Sequence, residues 1–487
     1  MAGYLASFLA SGLVLAGNLF AEQHTAGVPE LSSRPGAAYT IYVNVAGFTF
    51  DGTWFASSGT TYTPGFTPAL NDRLPTDTFS ATEQEQIEAI WSRLAQSYIG
   101  FNVNVTTVDP ALAALGVGAT DAQRQAWYDA TPNLMHTVVG SQIRPAGTPG
   151  VTPNNKWFSD GADGVSPGIG VVAGVASEQG AHTNWMFTEA QAGATTGGVI
   201  NGDYIGAISA HENAHSFGLY HQGDYTGDTL VNEYTNGDAS AGNGSYVATI
   251  GNASDRQRVT WRIGDTDTDG VRTPQNDVKL MLMTNGAISG RAGAVDLHLI
   301  DDGIGHSLLN ATTLPVLIDG TVDFTLATGV IVPLSESNPV AIGTDNYTKD
   351  WFTFTLADTS TITLTANNST QFLTAGIADG VGTLRSILSI YEFDGDLIAT
   401  ALEDSSTLFE TYSGTLSPGT YYAEIASFGG HVQDSPAFNT AEYFDMGAYF
   451  ITGSGLNVVP EPGTAFFVVL GLFALAGKRQ RHARVPL

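Results

Sequence analysis

The sequence predicts a multidomain chain: an α/β domain, built as a mixed sheet plus helices, followed by an all-β sandwich. Three observations carry that expectation. The length of 487 residues exceeds what one hydrophobic core organises. Residues 38–305 mix strand-like alternation with helical spacing, whereas from about residue 306 the texture turns to Thr-rich alternation broken by turns. Apolar residues make up 43% of the chain, enough for packed cores.

Residues 1–21 read as a signal peptide, with an apolar run from Tyr4 closing on Leu19-Phe20-Ala21, although no Lys or Arg precedes Arg34. Residues 22–37 read as an N-terminal linker, too short for a typical inhibitory segment. Tyr39-Thr40-Ile41-Tyr42-Val43-Asn44-Val45 alternates as a strand does. Ser80 with Glu83 forms a capping box for a helix over 81–98, whose Ile87, Ile90, Trp91, Leu94 and Tyr98 fall at helical spacing. A strand is expected at 102–106. The Gly- and Pro-rich stretch 140–170 is expected to wrap the surface as a long loop, and 171–176 to add a strand near a cleft. In residues 306–455, the segments Trp351–Leu356, Ile362–Leu364, Leu388–Tyr391 and Tyr421–Ile425 alternate apolar with polar, with turns such as Ser417-Pro418-Gly419 between them. That is the pattern of a β-sandwich.

The most specific feature is His211-Glu212-Asn213-Ala214-His215-Ser216-Phe217-Gly218-Leu219-Tyr220-His221. On a helix, His211 and His215 share one face and can hold one ion between them. A third ligand cannot come from the same turn of helix, so the chain must reverse. Gly218 permits this because glycine adopts positive φ without steric cost, and His221 then returns to the ion. Three imidazoles suit Zn2+ with one position left for water, and Glu212 stands beside them as the candidate general base.

This string resembles the zinc motif of metzincin metalloproteases. The likeness extends over Asn201–Gly223, over Phe79–Tyr98 and over Phe101–Thr107, and covers most of residues 38–305. It implies a metzincin-like zinc protease domain in which His211, His215 and His221 bind zinc and Glu212 is catalytic. Metzincins place a methionine in a turn beneath the metal; the comparable stretch Val247–Asn252 has none, and Met281 and Met283 lie further on. Gln222 and Ala214 also depart from the commoner residues of the family. The 306–455 segment, with Leu416-Ser417-Pro418-Gly419-Thr420-Tyr421-Tyr422, resembles the bacterial pre-peptidase C-terminal module that accompanies secreted proteases.

The net charge of −29 argues against a nucleic-acid partner, whose phosphates require a basic face. The absence of cysteine removes disulfides, thiol nucleophiles and thiol-based latency. Residues 456–487 carry Val459-Pro460-Glu461-Pro462-Gly463, an apolar stretch from Thr464 to Gly477, and a basic end with Lys478, Arg479, Arg481 and Arg484. This order resembles the PEP-CTERM sorting signal of Gram-negative bacteria. It implies transient anchoring in the inner membrane by a short transmembrane segment, processing by an exosortase-type sorting enzyme, and export to the cell surface or medium.

Asp265, Asp267 and Asp269, with Gly270 at the sixth position, match the start of a calcium loop, although Asn276 replaces the acidic twelfth residue. They are the candidate Ca2+ ligands. Gly164-Val165-Ser166-Pro167-Gly168 fits a serine-hydrolase pattern but is discarded, because Pro167 lacks the N–H an oxyanion hole needs. His24, His136, His182, His298, His306, His431 and His482 show no ligand spacing. The expectation is therefore an exported zinc endopeptidase acting on protein or peptide substrates. The alternative is a catalytically inactive metzincin-like surface or biofilm-matrix adhesion protein.

Overall fold

A computed structural model describes residues 27–57, 60–67, 78–142, 157–158, 168–170, 182–188, 201–238, 246–252, 258–268, 270–283, 297–368, 382–403, 408–433 and 441–457. The expected signal peptide and the sorting tail from Val459 onward lie outside these residues, as does the expected strand at 171–176. Among the described residues no helix is long and apolar enough to cross a membrane.

The N-terminal part is built on a five-stranded sheet in the order Val103–Thr106, Tyr39–Asn44, Leu134–Gly140, Thr183–Phe187, Gly168–Ile169. The first four strands run parallel and the edge strand Gly168–Ile169 antiparallel. Parallel strands need both faces covered, and Ile41, Val43, Val105 and Val139 are accordingly buried. The helix Ala81–Tyr98 begins at the expected capping box, with both reciprocal bonds of Ser80 and Glu83 formed. Its apolar face meets the helix Gly202–Ser216, and the Tyr98 hydroxyl donates to the Ala210 carbonyl at 3.0 Å.

Two expectations change here. Part of the linker is an extended segment beside the sheet: Ser33 N–H donates to Val105 O and Thr107 N–H to Leu31 O, both at 3.0 Å. Trp157 and Phe158, assigned to a surface loop, are buried in an aromatic cluster with Trp54, Trp185 and Phe187. Gly and Pro marked the segment as irregular, but the gain from burying two large rings overrides composition.

From Thr312 to Ser454 the chain forms a β-sandwich. One sheet runs Thr312–Thr313, Lys349–Leu356, Gly419–Ser427, Ser386–Glu392, Leu397–Leu402; the other runs Thr328–Ile331, Gly447–Ser454, Ser360–Asn367, Phe409–Leu416. Alternate residues Phe352, Phe354, Ile362, Leu364, Ile390 and Ile425 point into one core, as period-two patterning requires. The two parts are interlocked. The hairpin Arg262–Thr268 with Val271–Asn276 is extended by Ala441–Tyr443 and His431–Gln433 into one four-stranded sheet.

Candidate metal centre

The helix Gly202–Ser216 carries the first half of the motif. Asn201 caps it, its side chain accepting from Tyr204 N–H at 3.2 Å. The helix stops where the sequence demands: Gly218 takes φ +94°, Gly218 N–H donates to His215 O at 2.8 Å, and the chain turns back through Leu219 to His221. The three imidazoles converge, with ring centroids 4.7–5.1 Å apart and ligand atoms within 4.8 Å of one another. Among the described residues no other group of three or more His, Cys, Asp or Glu comes together in this way.

Each ring is oriented by a partner on its outer nitrogen. His211 Nδ1 lies 2.9 Å from Thr249 O, His215 Nδ1 2.7 Å from Leu219 O, and His221 Nδ1 2.9 Å from Glu233 Oε1. All three partners are acceptors, so each Nδ1 holds the proton and each Nε2 is left with a lone pair. His215 Nε2 and His221 Nε2 sit 3.0 Å apart. Lone pairs facing each other at that range repel unless a cation lies between them. Protons are poor candidates for that cation. Burial pushes His215 down to about 3, with His221 adding to it, and burial pushes His221 down to about 4. The donor set therefore fits a divalent metal that accepts nitrogen, with zinc the natural choice.

Glu212 follows the first ligand and lines the same cleft of about 560 Å³, with Ile169, Tyr204, Ile208 and Tyr234 among its walls. Burial raises its carboxyl to about 8, partly offset by a hydrogen bond from Gly170. The edge strand passes close over it. A Cβ at Gly168 would stand 2.9 Å from Glu212 Cγ, and one at Gly170 2.3 Å from Glu212 O, so side chains there would collide with the helix. Glycine is needed at both positions for close approach.

Behind the site, buried Asp277 accepts from Gln222 Nε2 at 2.7 Å, Gln275 Nε2 at 3.0 Å and Arg262 N–H at 2.9 Å. Gln275 in turn bonds both backbone groups of Tyr220. Gln222 thus links the segment that carries His221 to a buried acid elsewhere. The stretch Val247–Asn252, which has no methionine, contributes the Thr249 carbonyl, and its Val247, Ala248 and Ile250 are buried. Met281 is fully buried in the same core cluster as Ala214 and Ile250.

Sequence reasoning missed Glu233, Tyr234 and Asp277. The signal for the first two was the turn Gly227-Asp228, which folds Asp224–Thr226 against Thr229–Asn232 and returns the chain to His221. Tyr234 lies against His221 with ring centroids 4.2 Å apart and planes tilted at 43°. The aspartates of the expected calcium loop are described in part. Asp265 and Asp267 lie on a strand of an antiparallel hairpin, and Asp269 lies outside the described residues. Asp265 pairs with Arg272 at 2.8 Å, and Asp267 Oδ1 accepts from Gly270 N–H at 2.6 Å.

No known protein family matches the sequence, and no curated protein matches it. Among solved structures, a 1.0 Å crystal structure of the pre-peptidase C-terminal domain of collagenase from Bacillus anthracis is similar over 29% of this chain and 97% of that one. Its identity is 14% and its TM-score 0.16, too low to carry an argument, so the sandwich rests on the strands described above.

Proposed function

We propose that the chain is an exported zinc-dependent endopeptidase of metzincin type. The observation that carries this reading is the convergence of three Nε2 atoms, each turned inward by an acceptor on Nδ1, beside a buried carboxylate in the same cleft. His211, His215 and His221 would hold zinc, which when bound acidifies a water and polarises a carbonyl. The chain's own residues do the rest. Glu212 takes a proton on its carboxylate from the attacking water and returns it to the departing amine nitrogen. The edge strand Gly168–Ile169 offers a β-surface to an extended peptide along the cleft.

Export, transient anchoring and processing by an exosortase-type enzyme belong to the same reading and rest on the tail sequence, Val459–Gly463 with the apolar and basic stretches after it. The decisive experiment compares wild type, Glu212→Gln and His215→Ala for bound zinc and for chelator-sensitive cleavage of a mixed peptide library. Glu212→Gln should keep stoichiometric zinc and lose about 10²–10⁴ in rate, whereas His215→Ala should lose both. Full cleavage by Glu212→Gln would refute the mechanism. Zinc without cleavage in the wild type would favour an adhesive role.

A further inference from the structure

We infer that the β-sandwich part is a structural component of the metal centre: residues 431–433 and 441–445 brace the two segments that orient His211 and His221. This rests on the zinc reading above. Of the three acceptors on the Nδ1 atoms, Leu219 O is local to the motif, but Glu233 and Thr249 O belong to the segments 233–238 and 246–252. Those segments have little regular structure of their own. Tyr246–Ala248 pairs in parallel with Arg258–Thr260, three residues against three, and Tyr246 forms a single antiparallel bridge with Asp238; pairing so short is not stable alone.

Backbone bonds to Gln222, Thr235 and Thr260 tie them locally, and a second set of contacts comes from far along the chain. His431 stacks on Tyr246 with centroids 4.6 Å apart and planes at 12°, and its Nε2 lies 2.8 Å from Asp238 Oδ2. Tyr246 donates from its hydroxyl to Asp445 Oδ1 at 3.0 Å. Gln433 Nε2 donates to Gly237 O at 3.2 Å, and Phe444 N–H to Trp261 O at 3.0 Å. Tyr246, Ala248 and Tyr443 share a buried cluster. One further link is ionic: fully buried Arg258 pairs with Glu403 of the sandwich, and breaking such a pair costs more than a surface pair would. Loosening this junction lets Thr249 O and Glu233 drift, and two of three ligand rings lose their fixed orientation.

The test uses the full chain. His431→Ala removes both the ring face on Tyr246 and the bond to Asp238; His431→Phe keeps the ring face. Zinc affinity is measured by chelator competition, and ligand geometry by the visible absorption of the Co2+-loaded protein. His431→Ala should weaken zinc binding by about three- to tenfold and alter the Co2+ spectrum, with partial recovery in His431→Phe. Leu309→Ser, an exposed change elsewhere on the sandwich, should alter neither. If His431→Ala does not fold, Tyr246→Phe, which removes only the hydroxyl on Asp445, is compared in the same way. Wild-type affinity and spectrum in the folded variant would overturn the inference alone. A wild type that binds no zinc would overturn the functional reading and this one with it.

Discussion

Replacing Glu233 tests whether the orientation of His221 matters to the metal. The carboxylate accepts from His221 Nδ1 at 2.9 Å, and 61% of its side chain is exposed. A hydrogen bond to a charged group contributes about 1.5–3 kcal/mol when shielded from water. Exposure allows water to compete, so about 1–1.5 kcal/mol is the reasonable figure here. At about 1.4 kcal/mol per decade, Glu233→Ala should weaken zinc binding by about tenfold, the lower end of what outer partners of metal-bound histidines contribute. Glu233→Gln keeps an oxygen acceptor of the same reach and loses only the charge, so about threefold is expected. The assay is competition of the apo-protein against a chelator of known affinity, with denaturant unfolding of the apo-proteins alongside to show the fold intact. An alanine variant that binds zinc within about twofold of wild type would refute the argument that Glu233 fixes the ring.

Gly168→Ala places a methyl 2.9 Å from Glu212 Cγ and 3.0 Å from its Oε1; zinc should stay bound while kcat falls by about 10–100-fold, because a displaced base is a poor one. Cleavage kinetics and zinc content of the purified variant check this, and an unchanged kcat would show that the strand yields instead. Stability should also fall with rising pH through Asp350, which burial raises to about 8, with Asp302 adding to the shift. A carboxyl with a folded pKa above its unfolded value of about 4 stabilises fully below the unfolded pKa and loses that contribution as pH rises through about 8. Asp350→Asn should therefore flatten the decline of the urea midpoint between about pH 5 and pH 9, and an unchanged slope would exclude Asp350 as its source.

The convergence of the three histidines was legible because their geometry is local. His211, His215, Gly218 and His221 lie within eleven residues, and a helix followed by a glycine reversal determines where they go. The capping box at Ser80 and the period-two strands of the sandwich were legible for the same reason: each is decided by near neighbours in the chain. What holds the ligands was not legible. Thr249 acts through its carbonyl, which every residue has. Glu233 reaches His221 through a hairpin whose register no pattern announces, and Asp277 reaches the site through Gln222 and Gln275. The calcium reading rests on a pattern with two meanings. Alternating aspartates with a glycine fit a metal loop and equally fit one face of a hairpin, and the sequence alone does not announce the pairing with 271–276 or the Arg272 ion pair.

Two carboxylates beside the same three rings illustrate how environment divides labour. Glu212 sits in the cleft, walled by Ile208 and Ile169 under the close-packed edge strand, where desolvation favours the protonated form. Glu233 stands on the outer side of His221, open to solvent, where a carboxylate is well hydrated and can act as a fixed acceptor. Exchange of their surroundings would spoil both. A solvated Glu212 would hold protons too weakly to pass one to a leaving amine, and a desolvated Glu233 would take up a proton and turn from acceptor to donor against the imidazole N–H. In the proposed reaction the edge strand therefore has two tasks. It lies where an extended substrate would run, and its glycines let it pass close to the base without displacing it, so substitutions at Gly168 and Gly170 should separate chemistry from metal binding more cleanly than changes to the histidines can.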